Sequence, residues 1–213
     1  MREVLLTDGR ALTQADLNRS GALPAEIMAS AEAIVDDVRQ RGDAAVRDYC
    51  NKFDGACPAS FRVPQELIDE APSMVDPEFL RALTRARDQI RAFHEKEREE
   101  SWFTTRPDGT ILGVKVTPVA SAAVYVPGGR AQYPSTVLMD TIPAKVAGVP
   151  RVVMVTPPQK DGSLSAYTLA AAKLAGVDEV YAVGGAQAVG AVAYGTESIP
   201  ACDKIVGPGN AFV

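Results

Sequence analysis

Residues 121–129 read SAAVYVPGG, an apolar run that ends in a turn containing two glycines. Two further apolar runs end in similar turns, VGGAQ at 183–187 and VGPGN at 206–210. Short, continuous apolar runs are typical of strands buried on both faces of a sheet. Ligands of open α/β sheets collect where the carboxyl ends of strands meet such turns, and glycine lets a backbone approach a ligand closely. The three turns therefore predict one binding crevice.

From Val119 onward, apolar strands alternate with helical patterns. We expect strands and helices, in chain order, at 121–126, 135–147, 151–155, 163–175, 179–183, 187–194 and 204–206. Gly148 and Gly176 follow two of the helices as C-terminal caps commonly do, and Pro143 is expected to kink the first helix or end it early. This alternation predicts a parallel sheet covered by helices on both faces.

The preceding region is predicted to be mostly helical. Asp76 and Pro77 are expected to open its longest helix, with an N-cap followed by proline at the first helical position. Asp43 is expected to cap a shorter helix by its side chain.

An antiparallel hairpin is predicted around the turn at 107–109, and its second strand, with Leu112 and Val114, alternates like a half-buried strand. The predicted fold class is therefore α/β. A helical region with the start of the hairpin occupies 1–106, and an incomplete Rossmann-like domain with a parallel sheet occupies 107–213.

Composition argues against several functional classes. The net charge of -5 gives no basic footprint for nucleic acid. No run approaches the roughly 20 apolar residues of a membrane helix, and the first residues lack a signal-peptide core, so we expect a cytoplasmic protein. Cys50, Cys57 and Cys202 have no CxxC spacing and are expected to be small buried side chains.

The sequence does not predict a self-contained zinc site. His94 is the only histidine, whereas catalytic zinc typically takes about three protein ligands, mostly histidine. We expect His94 to be a polar residue at a helix edge, because nothing in the sequence supplies the partner that a catalytic base requires.

Three polar side chains are candidate ligand contacts at the predicted crevice. Gln187 opens a helix, where free N–H groups favour phosphate or carbonyl oxygens, and its amide can both donate and accept. Asn210 has the same amide chemistry, and Tyr125 can stack on a base or a ribose. Each also has an ordinary interpretation: a helix-capping Gln, a turn Asn and a strand aromatic.

The usual dinucleotide and nucleotide motifs are incomplete or missing. Residues 207–212 carry the first two glycines of a Rossmann fingerprint but have Phe212 where the third belongs. No Gly-Lys-Ser/Thr is present for a Walker A motif. A dinucleotide would therefore have to bind here without the usual fingerprint.

The motifs as a set resemble one enzyme family, histidinol dehydrogenase, over nearly the whole chain. The resemblance rests on the order and spacing of VYVPGG at 124–129, PSTVLM at 134–139, VGGAQA at 183–188 and DKIVGPGNA at 203–211, with GDA at 42–44, KFDG at 52–55 and FH at 93–94.

The resemblance implies an NAD-dependent oxidation of L-histidinol through histidinal to L-histidine, in a zinc-containing homodimer. It implies that Tyr125, Gln187 and Asn210 contact NAD. It places the zinc ligands, the substrate site and the acid/base pair beyond the GPGN motif, so no catalytic or metal residue is assigned here. The chain is expected to be the N-terminal half of such an enzyme and to be inactive alone.

Three alternatives stay open at this point. The chain is compatible with a histidinol dehydrogenase-like enzyme that oxidises another alcohol, such as a sulfonated diol. It is also compatible with a catalytically silent nucleotide-binding fragment. Finally, the glycine-rich turns are open to an interpretation as packing devices only.

Overall fold

The computed structural model of the chain describes residues 25–128 and 132–209. Within these residues lie seven α-helices and six strands. In chain order they are α1 (Ala25–Arg41), α2 (Asp43–Tyr49), α3 (Gln65–Glu70), α4 (Pro77–His94), β1 (Trp102–Thr105), β2 (Ile111–Val114), β3 (Ser121–Tyr125), α5 (Pro134–Val146), β4 (Arg151–Thr156), α6 (Ala166–Ala175), β5 (Glu179–Ala182), α7 (Gly185–Tyr194) and β6 (Lys204–Val206). A π-helical turn, Cys50–Asp54, extends α2.

A four-stranded parallel sheet, ordered β5-β4-β3-β6, forms the centre of the fold. The chain runs from β3 outward to β4 and β5, and then returns to the opposite side of β3 as β6. The carboxyl ends of β3 and β6 therefore meet at a topological switch point, the place where open α/β sheets bind ligands. The predicted α/β fold class is confirmed.

Both faces of the sheet are buried, because successive side chains of a strand point to opposite sides. In β3, Ala122 and Val124 join one core, while Ala123 and Tyr125 join the other. Helices α3 to α6 pack on the first face, and α1, α2, the π-helical turn and α7 pack on the second. The boundary at 106/107 stays a prediction, since residues from both sides of it share these two cores.

Two predicted helix ends are confirmed. The Asp76 carboxylate accepts hydrogen bonds from the backbone N–H groups of Glu78 and Phe79, at 2.6 Å and 3.3 Å. Gly176 ends α6 in the left-handed conformation, with φ of 86°. The prediction that Pro143 ends α5 early is wrong. Pro143 lies in the last turn of the helix, which continues to Val146.

The predicted role of Asp43 is wrong. Glu197 Oε2 accepts the backbone N–H of Asp43 at 2.7 Å, and Asp43 is itself the first helical residue of α2, not its N-cap. Its carboxylate instead accepts a 2.6 Å hydrogen bond from the Thr196 hydroxyl, in the loop after α7. A partner distant in the sequence has taken the place of the local cap.

The hairpin forms as predicted, but its predicted burial is wrong. Strands β1 and β2 pair antiparallel across the turn at 107–109. All eight of their residues are exposed, with Phe103 62% and Ile111 67% exposed. Alternation along β2 therefore marks a face that no described residue covers.

Replacing Asp76 with alanine tests the cap of α4. Loss of the two hydrogen bonds should lower the free energy of unfolding by about 1 kcal/mol, measured by urea denaturation. Arg85→Ala, an exposed change in the same helix, serves as the control and should alter stability by less than about 0.5 kcal/mol. Equal effects of the two substitutions would contradict the cap.

Candidate cofactor-binding site

The turns that follow β3, β5 and β6 meet around Tyr125, the last residue of β3. The backbone N–H of Gly185 donates to the Tyr125 hydroxyl, with an N–O distance of 3.1 Å. On the other side, a Cβ added to Gly207 would stand 2.3 Å from the Tyr125 carbonyl oxygen. Gly207 also has φ of 141°, which L side chains rarely adopt. The described parts of the three turns thus lie together, as the sequence predicts.

Several of these glycines are required for packing within the protein. A Cβ added to Gly184 would lie 2.5 Å from the Cβ of Pro157, which follows β4. A Cβ added to Gly128 would lie 3.0 Å from the Pro157 Cγ. Close approach at these positions does not by itself indicate a ligand. Buried polar groups that the described residues leave unpaired are better indicators of a ligand.

Gln187 is the clearest group of this kind. The residue is only 1% exposed, and neither its amide oxygen nor its amide nitrogen has a hydrogen-bond partner in the described part of the chain. Leaving a buried polar group unpaired costs roughly 1–3 kcal/mol. Gly185 lies directly over this amide: its φ is 66°, and a Cβ there would stand 2.6 Å from Gln187 Oε1. The first turn of α7 is therefore built around an amide that the described residues do not satisfy.

A second unpaired group comes from the N-terminal helical region. Asp54 ends the π-helical turn, which Gly55 closes in the left-handed conformation with φ of 70°. Asp54 Oδ2 is buried and has no partner among the described residues. Burial raises the pKa of the Asp54 carboxyl above its ordinary value.

The thiol of Cys50 lies in the same turn and is not a candidate nucleophile. Burial, reinforced by the negative charge of Asp54, raises the pKa of Cys50 to about 12. Nucleophilic cysteines need a lowered pKa, because the thiolate is the reactive form. Cys50 is fully buried in the core of the second sheet face, as expected. The same expectation is wrong for Cys57 and Cys202, which are only partly buried.

Gln187 and Asp54 line one cavity of about 450 Å³. Its walls come from α1, the end of the π-helical turn and the first turn of α7, through Glu26, Ile27, Ser30, Ala31, Ile34, Phe53, Asp54, Gly185, Ala186 and Gln187. This volume falls within the roughly 300–1,000 Å³ of small-molecule sites. A mostly apolar cavity with two carboxyl groups, an amide and a helix N-terminus suits a neutral ligand segment rich in hydroxyl or amide groups.

The structure relates the sequence candidates to this cavity in different ways. Gln187 lines it, whereas Tyr125 is buried in the second core and touches the site through its hydroxyl on Gly185. Burial raises the pKa of Tyr125, so the hydroxyl stays protonated. Asn210 lies outside the described residues. His94 Nδ1 lies 2.6 Å from Glu97 Oε2 at the end of α4.

Asp54 is a site residue that the sequence reasoning did not single out. Its only local signal is the Asp-Gly turn at 54–55 within KFDG, which also has an ordinary interpretation as a turn. Tertiary packing of the helical region against α7 brings its carboxyl to the cavity.

In residues 25–128 and 132–209, no group of three or more His, Cys, Asp or Glu side chains is arranged to hold a metal ion. Across the same residues, no helix has both the length and the apolar character needed to cross a membrane.

Comparison with known proteins gives a consistent family. Residues 17–213 match the family model described as histidinol dehydrogenase. Histidinol dehydrogenase of Heliobacterium mobile is 54% identical over 191 residues, covering 89% of this chain and 45% of that protein. The corresponding protein of Methanosarcina mazei is 49% identical over 206 residues, covering 95% of this chain and 48% of its own length.

A solved structure agrees with the sequence comparisons. The crystal structure of histidinol dehydrogenase from Elizabethkingia anophelis superposes with a TM-score of 0.82 at 34% identity, covering 88% of this chain and 43% of that one. The chain thus spans less than half the length of the relatives it matches.

The unpaired amide of Gln187 leads to a stability prediction. Gln187→Met keeps the side-chain length and removes both unsatisfied atoms, so the free energy of unfolding should rise by about 1 kcal/mol or more in urea denaturation. The matched control, Gln89→Met on the exposed face of α4, should change it by less than about 0.5 kcal/mol. A destabilised Gln187→Met protein would mean that the amide is bonded in the folded state.

Proposed function

The chain belongs to the histidinol dehydrogenase family, and we propose that it forms the NAD-binding part of an enzyme that oxidises L-histidinol through histidinal to L-histidine. Family membership supports the reaction class, an oxidation in histidine biosynthesis. The observation that carries the cofactor assignment is the buried, unpaired Gln187 amide at the N-terminus of α7, beside the switch point of the sheet.

The protein's own groups fit a dinucleotide without the usual fingerprint. After Gly185, whose N–H is bonded to Tyr125, the next N–H groups at the start of α7 favour an anion or a carbonyl oxygen. The Gln187 amide offers one acceptor and two donors. We propose that Gln187, Tyr125 and Asn210 form the cofactor site. The Tyr125 hydroxyl acts by holding the Gly185 N–H and with it the start of α7. Asn210 rests on the family resemblance.

Each residue's role is to bind or orient the cofactor. Bound NAD would supply the hydride acceptor for the oxidation of an alcohol. Gln187 is almost completely buried, so little side-chain freedom is lost when it binds a ligand.

Zinc, substrate recognition and proton transfer are not assigned to this chain. The described residues have no cluster suited to a metal, and the family resemblance places these groups after residue 210. We therefore propose that the 213 residues alone bind NAD without turning over L-histidinol.

Calorimetric titration of NAD into the chain tests the cofactor assignment. The wild-type chain should bind NAD, and Gln187→Ala should raise the dissociation constant at least about tenfold, because the amide hydrogen bonds to the ligand are lost. Gln89→Ala, the exposed control, should bind like the wild type. Absence of NAD binding in a folded wild-type chain would overturn the assignment.

Absorbance of NADH tests the enzymatic part of the proposal. The chain alone, supplied with NAD, zinc and L-histidinol, should form no NADH, whereas a family protein of full length carrying this sequence as its first half should form it. If that longer protein reduces NAD only with another alcohol, such as a sulfonated diol, the proposed substrate is wrong while the oxidoreductase class stands.

We also propose that the protein is a homodimer, with the β1–β2 hairpin in the interface. A two-stranded hairpin is at best marginally stable alone, and this one exposes Trp102, Phe103 and Ile111 by more than half of their surface. Exposed apolar patches of this kind often mark interfaces between proteins.

Light scattering coupled to gel filtration tests the homodimer. The wild type should have the mass of a dimer, and the double substitution Phe103→Ser with Ile111→Ser should yield a monomer. Met74→Ser is a matched control, because Met74 is 66% exposed away from the hairpin, and it should leave the dimer intact. A monomeric wild type would refute the homodimer.

A further inference from the structure

The carboxyl of Asp54 has no role in the proposed cofactor contacts. It belongs to a turn that precedes the sheet by more than sixty residues in the sequence, yet it lines the same cavity as Gln187. Its Oδ2 is buried without a hydrogen bond of good geometry among the described residues, and the nearby Cys50 thiol is only a weak donor. Burying a carboxyl in this way is costly unless a hydrogen-bond donor or a cation satisfies it. The chain leaves room for such a donor in the cavity.

The negative charge of the cavity limits which ligand groups can lie next to Asp54. Among the described residues, the cavity is lined by two carboxylates, Asp54 and Glu26, and by no Lys or Arg. Phosphate oxygens next to Asp54 would be repelled and unpaired. Neutral hydroxyl groups can donate to a carboxylate in short, charge-assisted hydrogen bonds. A vicinal diol offers two such donors side by side, which matches the two oxygens of one carboxylate.

The sheet itself lacks the acidic residue that usually performs this task. In Rossmann folds an Asp or Glu about 20 residues after the glycine-rich turn binds a ribose diol. Counted from the glycine-rich turn after β3, the corresponding position here is the end of the next strand, β4, where Thr156 is followed by Pro157 and Pro158. Asp54 presents a carboxyl near the first turn of α7, from a different part of the chain.

We propose that Asp54 is a cofactor-binding residue whose carboxylate accepts hydrogen bonds from a ribose diol of NAD in the cavity between α1, the π-helical turn and α7. This inference rests on the proposed NAD binding and adds a residue and a chemical group to it. Gln187 binds a neighbouring polar part of the same ligand. NAD has two riboses, and the diol of either one has the required chemistry.

Calorimetry with NAD and two analogues tests the role of Asp54. One analogue lacks the 2′-hydroxyl of the adenosine ribose, and the other lacks the 2′-hydroxyl of the nicotinamide ribose. The wild type should bind one of them about tenfold more weakly than NAD, and that analogue identifies the ribose. Asp54→Asn should bind NAD about tenfold more weakly and should no longer distinguish it from that analogue.

Two further variants keep the test independent of folding. Asp36→Asn removes the same charge from an exposed position of α1 and should bind all three ligands like the wild type. Asp54→Ser, which retains only a hydroxyl, should match Asp54→Asn in binding. Thermal unfolding should show Asp54→Asn to be at least as stable as the wild type, because it removes an unpaired buried carboxylate.

The possible failures are distinguishable. If NAD fails to bind the wild type, the proposed cofactor and the role of Asp54 fall together. If Gln187→Ala loses NAD while Asp54→Asn binds it normally, the cofactor site stands and the role of Asp54 is overturned. An equal loss of affinity for NAD and both analogues in Asp54→Asn would also overturn it, since the effect would be unrelated to the diol.

Discussion

The hydrogen bond from the Gly185 backbone N–H to the Tyr125 hydroxyl, 3.1 Å long, determines where α7 begins relative to β3. Tyr125 is buried in the second core, so its hydroxyl is a rigid anchor. The anchor holds the left-handed Gly185 over the Gln187 amide. On its other side the Tyr125 carbonyl is approached by Gly207 after β6. One residue thus joins the turns after three strands, and the geometry of the cavity depends on it.

The cavity combines two buried polar groups that the described protein does not satisfy. Gln187 comes from the sheet region and Asp54 from the helices that precede it. Neither contributes to stability in its present state, and each is a cost that the two hydrophobic cores offset. Unfavourable features of this kind tend to concentrate at functional sites, where a ligand later satisfies them. The close packing of the glycines around Pro157, by contrast, is a property of the folded chain alone.

Predictions from local patterns succeeded where the pattern itself decides the structure. Continuous apolar runs identified the strands of the parallel sheet, and Asp76 with Pro77 identified the start of α4. The same reasoning was wrong for Asp43, which bonds to Thr196 after α7 instead of capping its own helix. It was also wrong for the burial of β2, because alternation indicates a face that can be covered and says nothing of whether a partner is present in the described residues.

The sequence alone determined the α/β class, the order of the elements and Gln187 as a candidate, because these follow from local hydrophobic periodicity, turn residues and side-chain chemistry. Tertiary structure alone decided that Asp54 shares a cavity with Gln187, that the Tyr125 hydroxyl bonds to Gly185, and that the described residues leave the amide unpaired. The physical reason is that burial and hydrogen-bond satisfaction depend on neighbours distant along the chain. They emerge only when α1 and the π-helical turn pack against α7.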